Sequence, residues 1–203
     1  GQRLLAQAVD AYRSALEVYT RDQLPQDWAM AQNNLGLALR AQGIRTGGEN
    51  GQRLLAQAVD AYRSALEVRT RDQLPQQWAT TQNNLGGALQ EQGIRTGGEN
   101  GRRLLAQAVD AYRSALEVYT RDQLPQDWAM AQNNLGLALR AQGIRTGGEN
   151  GQRLLAQAVD AYRQALAIFQ AARMSYHAKI TQQNLDAAEE LLRGGDRVEQ
   201  NGQ

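Results

Sequence analysis

The sequence predicts an all-α protein, a solenoid of eight helices folded as four antiparallel hairpins. Three observations lead there. A 50-residue block recurs along the 203 residues, at 1–50, 51–100, 101–150 and, with a changed ending, 151–193. Self-similarity at such a period marks a stack of small units rather than one globular core. Within each block the apolar residues return at steps of three and four, the spacing of one helix face. Proline and glycine fall at fixed places between these stretches, where helices start and stop.

The first helix of the block, at about 1–22, carries Leu4, Leu5, Ala8, Val9, Tyr12, Ala15, Leu16 and Tyr19 as a broad apolar stripe. Arg3, Gln7, Asp10, Arg13 and Glu17 form its wet side, with Asp10–Arg13 and Arg13–Glu17 as surface pairs. The connector 23–26 leads to the stretch that recurs most plainly, Trp28-Ala-Met-Ala-Gln-Asn-Asn-Leu-Gly-Leu-Ala-Leu39, which returns from Trp78 and from Trp128. Pro25 suits a first helical turn, and Asp27 suits the positive end of the helix dipole. Trp28, Ala31, Leu35 and Leu39 share a face, so Trp28, Trp78 and Trp128 are expected in the core between hairpins. Gly43 is the expected stop of a helix over 25–42, residues 43–52 a glycine-rich loop, and Asn50 the cap of the next helix. The pattern repeats with helices at about 52–72, 75–92, 102–122, 125–142 and 152–173.

In the fourth block Arg173-Met174-Ser175-Tyr176 replaces Gln-Leu-Pro-Gln, so its two helices are expected to join more smoothly. The last helix, about 176–193, has Ala178 in place of the tryptophan, Asp186 in place of a glycine and Glu189 in place of Leu39. A face that has gained charge reads as a cap. Residues 194–203 are expected as a polar, frayed tail.

Composition excludes several classes. The formal net charge of +1 gives no general pull toward nucleic acid or acidic lipid. There is no cysteine, which removes disulfides and thiol catalysis. No run reaches the ~20 apolar residues of a membrane helix, and no leader sequence is visible. The chain opens on Gly1 in mid-pattern, as a segment of a longer cytoplasmic protein would. The turn at 47–51 lacks the preceding strand and the Gly-Lys-Ser/Thr of a phosphate loop. His177 is the only histidine and has no cysteine partner, so no metal site is expected. Asp10, Glu17, Asp22 and Asp27 lie beside arginines or at helix ends and form no acid/base pair. No catalytic residue and no cofactor is therefore expected. Arg13, Arg63, Arg113 and Arg163 could line up as a basic stripe, but Asp10, Asp60, Asp110 and Asp160 share that surface, which reads as a solvated face rather than a nucleic-acid site.

The run Ala8-Val-Asp-Ala-Tyr-Arg-Ser-Ala-Leu16, a connector with proline, and Asn33-Asn-Leu-Gly-Leu-Ala-Leu39 together resemble the tetratricopeptide repeat. The span from Ala15 through Pro25 to Leu39 is similar to the long repeats of kinesin light chains and of bacterial multi-repeat proteins. The resemblance covers about 1–193. The usual period is ~34 residues, and the additional residues here lie at 43–52 and 20–26. A HEAT-like helical repeat is the alternative fold. The resemblance implies a right-handed superhelix with the tryptophan helix on its concave side and the other helix on its back. It also implies ligand contacts at Met30, Asn33, Leu37, Arg40 and Ala41, with Asn34 placed to hold a peptide backbone or terminal carboxylate. Carried to the later blocks, the same positions give Asn83, Asn84, Gln90, Met130, Asn133, Asn134, Leu137 and Arg140.

Blocks 1 and 3 differ only at Gln2 and Arg102, whereas block 2 departs from block 1 at seven positions. Four of these are Met30→Thr80, Leu37→Gly87, Arg40→Gln90 and Ala41→Glu91, all off the face of Trp28, Leu35 and Leu39. Two explanations fit: exposed positions that drift freely, or a groove tuned along its length. The expected function is a non-catalytic scaffold that binds a peptide or partner segment. The alternative is a structural or engineered array, monomeric or weakly dimeric through an open N-terminal helix.

Overall fold

The computed structural model describes residues 1–200, with side chains described to residue 194. Among the described residues it is entirely helical, with α1 (Gln2–Val18), α2 (Pro25–Thr46), α3 (Gly48–Leu66), α4 (Pro75–Arg95), α5 (Gly98–Leu116), α6 (Pro125–Thr146), α7 (Gly148–Ala171) and α8 (Ser175–Gln200). Each helix packs on its neighbours in the chain, as an α-helical repeat requires. The even-numbered helices also touch one another in sequence, α2 on α4, α4 on α6 and α6 on α8. No two of α1, α3, α5 and α7 bring Cα atoms within 8 Å.

Several boundaries differ from the expectation, and the largest difference is at the glycines. The loop expected over 43–52 is a single residue, Gly47, between α2 and α3. Gly47 and Gly48 both take positive φ, 67° and 54°, which lets two helices reverse direction without a connecting loop. Gly43 does not end its helix. It lies inside α2 against Gly51 of α3, where a Cβ on Gly51 would sit 2.7 Å from the Gly43 carbonyl oxygen. Asn50 is likewise inside α3, and the residue that caps α3 is Gly47, with no side-chain bond. The glycines therefore serve contact between helices, and the tightest pairing in each block joins a tryptophan helix to the helix that follows it.

The same close approach occurs in the middle of the helices. A Cβ on Gly36 would lie 2.7 Å from the ring of Tyr62; Gly86 and Tyr112 repeat the contact, as do Gly136 and Tyr162. These tyrosines are enclosed, and burial holds their hydroxyls above the ordinary phenol range, an effect that nearby Arg40 and Arg140 partly offset. Ala29, Gly36 and Gly43 are seven residues apart and form one stripe on α2 that meets α3. The equivalents of Ala29 in blocks 2 and 3 pack alike, with Ala79 beside Ala115 and Tyr119, and Ala129 beside Ala165 and Phe169.

Trp28, Trp78 and Trp128 are half-buried rather than enclosed, and Trp128 packs against both the Ala79 and the Ala129 clusters, between successive helix pairs. Trp78 lies at the rim, packed beside the Ala79 cluster, with the Arg71 guanidinium 6.0 Å from its ring centroid. The enclosed residue is its neighbour, Ala79. One residue is about 100° around a helix, so the small-residue stripe that meets the next helix leaves the indole at the edge.

Ties between blocks run through arginines. Arg95 donates to the carbonyls of Gly43 at 2.9 Å and Ile44 at 3.0 Å, closing the free end of α2 from the next block. Arg145 does the same for the carbonyls of Ile94 and Thr96 at the end of α4. The pairs expected along the first helix are replaced by links to the following block: Arg13 donates to Gln57, and Arg21 pairs with Glu67 at 2.5 Å.

The junction of α7 and α8, residues 172–174, is shorter than the connectors that lead into α2, α4 and α6 but is still a break. Arg173 takes φ 55°, Met174 N–H donates to the Phe169 carbonyl at 2.8 Å, and Arg173 N–H donates to Gln170 at 3.1 Å. This is a Schellman stop with arginine where glycine is usual. His177 lies half-buried in the first turn of α8, its ring 5.3 Å from that of Phe169. Helix α8 continues to Gln200, so the tail expected from 194 is helical as far as that residue; 201–203 lie outside the described residues.

Candidate functional site

The residues singled out for partner binding all lie on the tryptophan helices, and the structure divides them into two groups. Met30, Leu37 and Met130 are exposed, at 45%, 41% and 36%, which is high for large apolar side chains. Leu137 is half-buried against the core. The asparagines are half-buried or, for Asn33, buried, and much of their bonding capacity is used within the protein. Asn84 donates to Asn33 Oδ1 at 3.2 Å, and Asn33 donates to Asn34 at 3.3 Å. Asn134 donates to Asn83 Oδ1 at 3.2 Å, and Thr181 to Asn133 Oδ1 at 3.0 Å. The asparagines thus form a ladder between successive tryptophan helices. A buried amide must find such partners, which gives this position a structural reason for asparagine.

Arg40 is half-buried and lies flat against the next helix, so close that a Cβ on Gly87 would sit 2.9 Å from its guanidinium carbon. Gln90 accepts from the Tyr112 hydroxyl at 3.4 Å. Arg140 is half-buried at the equivalent place beside Tyr162. Ala41, the last implied position, is also half-buried; Glu91, which replaces it in block 2, lies 3.9 Å from Arg95.

The differences between block 2 and its neighbours are neither free drift nor groove tuning alone, because several of them touch one another. Arg69 replaces a tyrosine and is buried; it donates to Thr81, which replaces an alanine, at 3.0 Å. Thr81 in turn lies 3.3 Å from Asn33 Oδ1. Burial lowers the Arg69 pKa, and among the described residues no carboxylate pairs with it. Thr80 replaces Met30 and meets the Tyr119 hydroxyl of block 3 at 2.8 Å. Gly87 makes the space that Arg40 occupies.

The other side of the molecule carries a 320 Å³ cavity among α3, α4 and α5, lined by Asp60, Arg63, Gln92, Arg103 and Gln107 among others. Its mixed charge matches the solvated face expected there. Among the described residues no group of three or more His, Asp or Glu could hold a metal ion, and no helix is long and apolar enough to cross a membrane. No protein-family model matches the chain, and no curated protein matches it.

The signals that sequence reasoning missed were present. Ala29, Gly36 and Gly43 stand at heptad spacing, and the two glycines have counterparts on the next helix: Tyr62 for Gly36, and Leu55 and Gly51 for Gly43. Reading glycine only as punctuation concealed that stripe.

Proposed function

We propose that this chain is a non-catalytic, cytoplasmic scaffold of tetratricopeptide type, a right-handed α-solenoid whose tryptophan helices line a groove for a peptide or partner segment. One observation carries the reading. The backbones of the even-numbered helices approach one another closely, whereas the odd-numbered helices meet only through long side chains such as Arg13 with Gln57 and Arg113 with Gln157, as expected when the even row forms the short, inner side of an arc. On that row Met30, Leu37 and Met130 remain exposed, and the half-buried amides of Asn34, Asn84 and Asn134 lie beside them. Apolar anchors among fixed amides suit an extended or helical segment bound by side-chain pockets and backbone hydrogen bonds. Arg40 serves mainly to pack against Gly87, so recognition rests on the apolar residues more than on charge.

A Met30→Glu/Leu37→Glu/Met130→Glu chain tests this, because these residues are exposed and their replacement spares the core. Peptides selected on the parent chain from a displayed random library are expected to lose at least about tenfold in affinity for the variant, or about 1.4 kcal/mol. Equal affinity for both chains, with matched melting, would move the site off this row.

A further inference from the structure

The sequence Gly-Gly-Glu-Asn-Gly, at 47–51, 97–101 and 147–151, makes the reversal between helices and also carries a reactive dipeptide. Asparagine is a thermolabile residue. Before glycine it is most exposed to attack by the next backbone nitrogen, because no Cβ hinders the approach. That nitrogen attacks Cγ, a five-membered succinimide closes and the Cγ–Nδ2 bond breaks. Ammonia leaves with the proton that the nitrogen gave up. Water then opens the ring. Opening at the main-chain carbonyl leaves isoaspartate, whose backbone runs through Cβ and Cγ and is one carbon longer. Opening at Cγ leaves aspartate.

The fold sets how far each copy is protected. Asn50, Asn100 and Asn150 are all exposed, so water and base reach their amides. Each is followed by the first glycine whose N–H enters the helical ladder. Gly51 donates to the Gly47 carbonyl at 2.7 Å and Gly151 to Gly147 at 2.9 Å, whereas Gly101 donates to Gly97 at 3.2 Å. A nitrogen held in this way, at helical ψ, is kept from Cγ, so the ring closes only when the first turn opens.

Two of the copies are clamped from outside as well. A Cβ on either Gly43 or Gly51 would first meet the carbonyl oxygen of the other, and Gly143 and Gly151 repeat the pair. The middle copy lacks this crossing. A Cβ on Gly93 would meet Leu105, and one on Gly101 the Thr96 carbonyl and the Arg145 guanidinium. Helix α4 ends at Arg95, one residue before the equivalent ends of α2 and α6. Gly97 takes φ −79°, where Gly47 and Gly147 take 67° and 64°.

We propose that Asn100 is a site of spontaneous isoaspartate formation, gated by opening of the first turn of α5, that it reacts before Asn50 and Asn150, and that its product loosens the α4–α5 crossing. The extra backbone carbon displaces Gly101, which sits against the end of α4. A crossing with no room for a Cβ has none for that displacement. The effect falls in the middle of the array. It does not depend on the proposed groove, and the two can fail separately.

The full chain, folded or in urea, is incubated in mildly alkaline buffer and digested with trypsin. Isoaspartate is then read by mass spectrometry and by enzymatic carboxyl methylation. Peptide 96–102 is distinct, whereas 46–53 and 146–153 share one sequence, so Asn100 is compared with the other two together. In urea the copies are expected to react within about twofold of one another. In the folded chain all are expected to slow at least about tenfold, with Asn100 at least about threefold faster per site than the others. Arg145→Ala removes the ties to the Ile94 and Thr96 carbonyls and leaves the dipeptide intact. It is expected to raise the rate at Asn100 at least about twofold. A chain assembled by ligation with isoaspartate at 100 is expected to unfold at lower urea than Asn100→Asp, which has the same charge on an ordinary backbone. Equal rates in the folded and unfolded chains, or an Asn100 no faster than the others once folded, overturns the proposal. So does an unchanged rate in Arg145→Ala, or an isoaspartyl chain that melts with Asn100→Asp.

Discussion

Tyr112→Ala is expected to lower the denaturant midpoint of the chain more than any other single truncation of a side chain. The ring is almost fully enclosed, with α4 on one side, and large aromatic-to-alanine changes in cores cost about 3–5 kcal/mol. The contact with Gly86 supplies an internal control. In the parent chain, Gly86→Ala places a Cβ 2.8 Å from Cε1 of Tyr112, a ring that is almost fully enclosed. That overpacking is expected to cost about 1–3 kcal/mol, more than the ~1 kcal/mol an alanine gains over glycine in a helix. In the Tyr112→Ala background the obstruction is gone, so the same Gly86→Ala change should stabilise. A reversal of sign across this double-mutant cycle, read in urea melts, is the expected result. Destabilisation by Gly86→Ala in both backgrounds would mean that the glycine has another role.

The second large effect is expected at Gly51. Its Cα faces the Gly43 carbonyl, and an added Cβ would lie 2.7 Å from that oxygen. The obstacle is backbone rather than the end of a flexible side chain, so relief requires α2 and α3 to move apart. Only Gly47 joins them, which allows little movement. Gly51→Ala is expected to cost about 3 kcal/mol, at the upper end for overpacking, and Gly151→Ala a similar amount, with its Cβ 2.6 Å from the Gly143 oxygen. In contrast, Gly97→Ala is expected to change the midpoint by less than about 1 kcal/mol, because nothing lies within 4 Å of a Cβ there and its φ is −79°. A Gly51→Ala chain that melts with the parent would remove the close crossing from the account of the fold.

Helix content and the number and order of the helices were legible because they depend on periodicity along one helix at a time. The boundary at 43–52 was not, because glycine signals both a stop and a close crossing, and only the partner helix distinguishes them. Gly43 and Gly47 illustrate this: the first is enclosed within a helix, while the second is the turn. The tryptophans pack on the buried clusters but are less enclosed than expected, for a related reason. Their spacing from Leu35 and Leu39 correctly identified an apolar face, but each of these helices has more than one packed side. At the candidate groove, residue positions could be identified and exposure could not. Met30 and Leu37 are open as a groove reading requires, whereas Asn33 and Arg40 are engaged by the next block. Such engagement depends on residues 47 to 51 positions away, beyond the reach of any local pattern.

Arg40 resting over Gly87 has a consequence for how the chain could have grown. At the three junctions the residues in these two places are Arg40 with Gly87, Gln90 with Leu137, and Arg140 with Ala187. The arginine is followed each time by a residue with almost no side chain. Asn33 and Asn133 are likewise followed by threonines, Thr81 and Thr181, whereas Asn83 is followed by Ala131. At these two places the junctions alternate, the first and third being alike and the second different. Removing 51–150 joins block 1 to block 4 and recreates a native type of junction, so that shortened chain is expected to fold cooperatively. Removing only 51–100 sets Arg40 over Leu137 and faces Asn33 with Ala131, and it is expected to yield a less stable chain although it is longer. Insertions and losses by recombination would therefore survive in steps of two blocks.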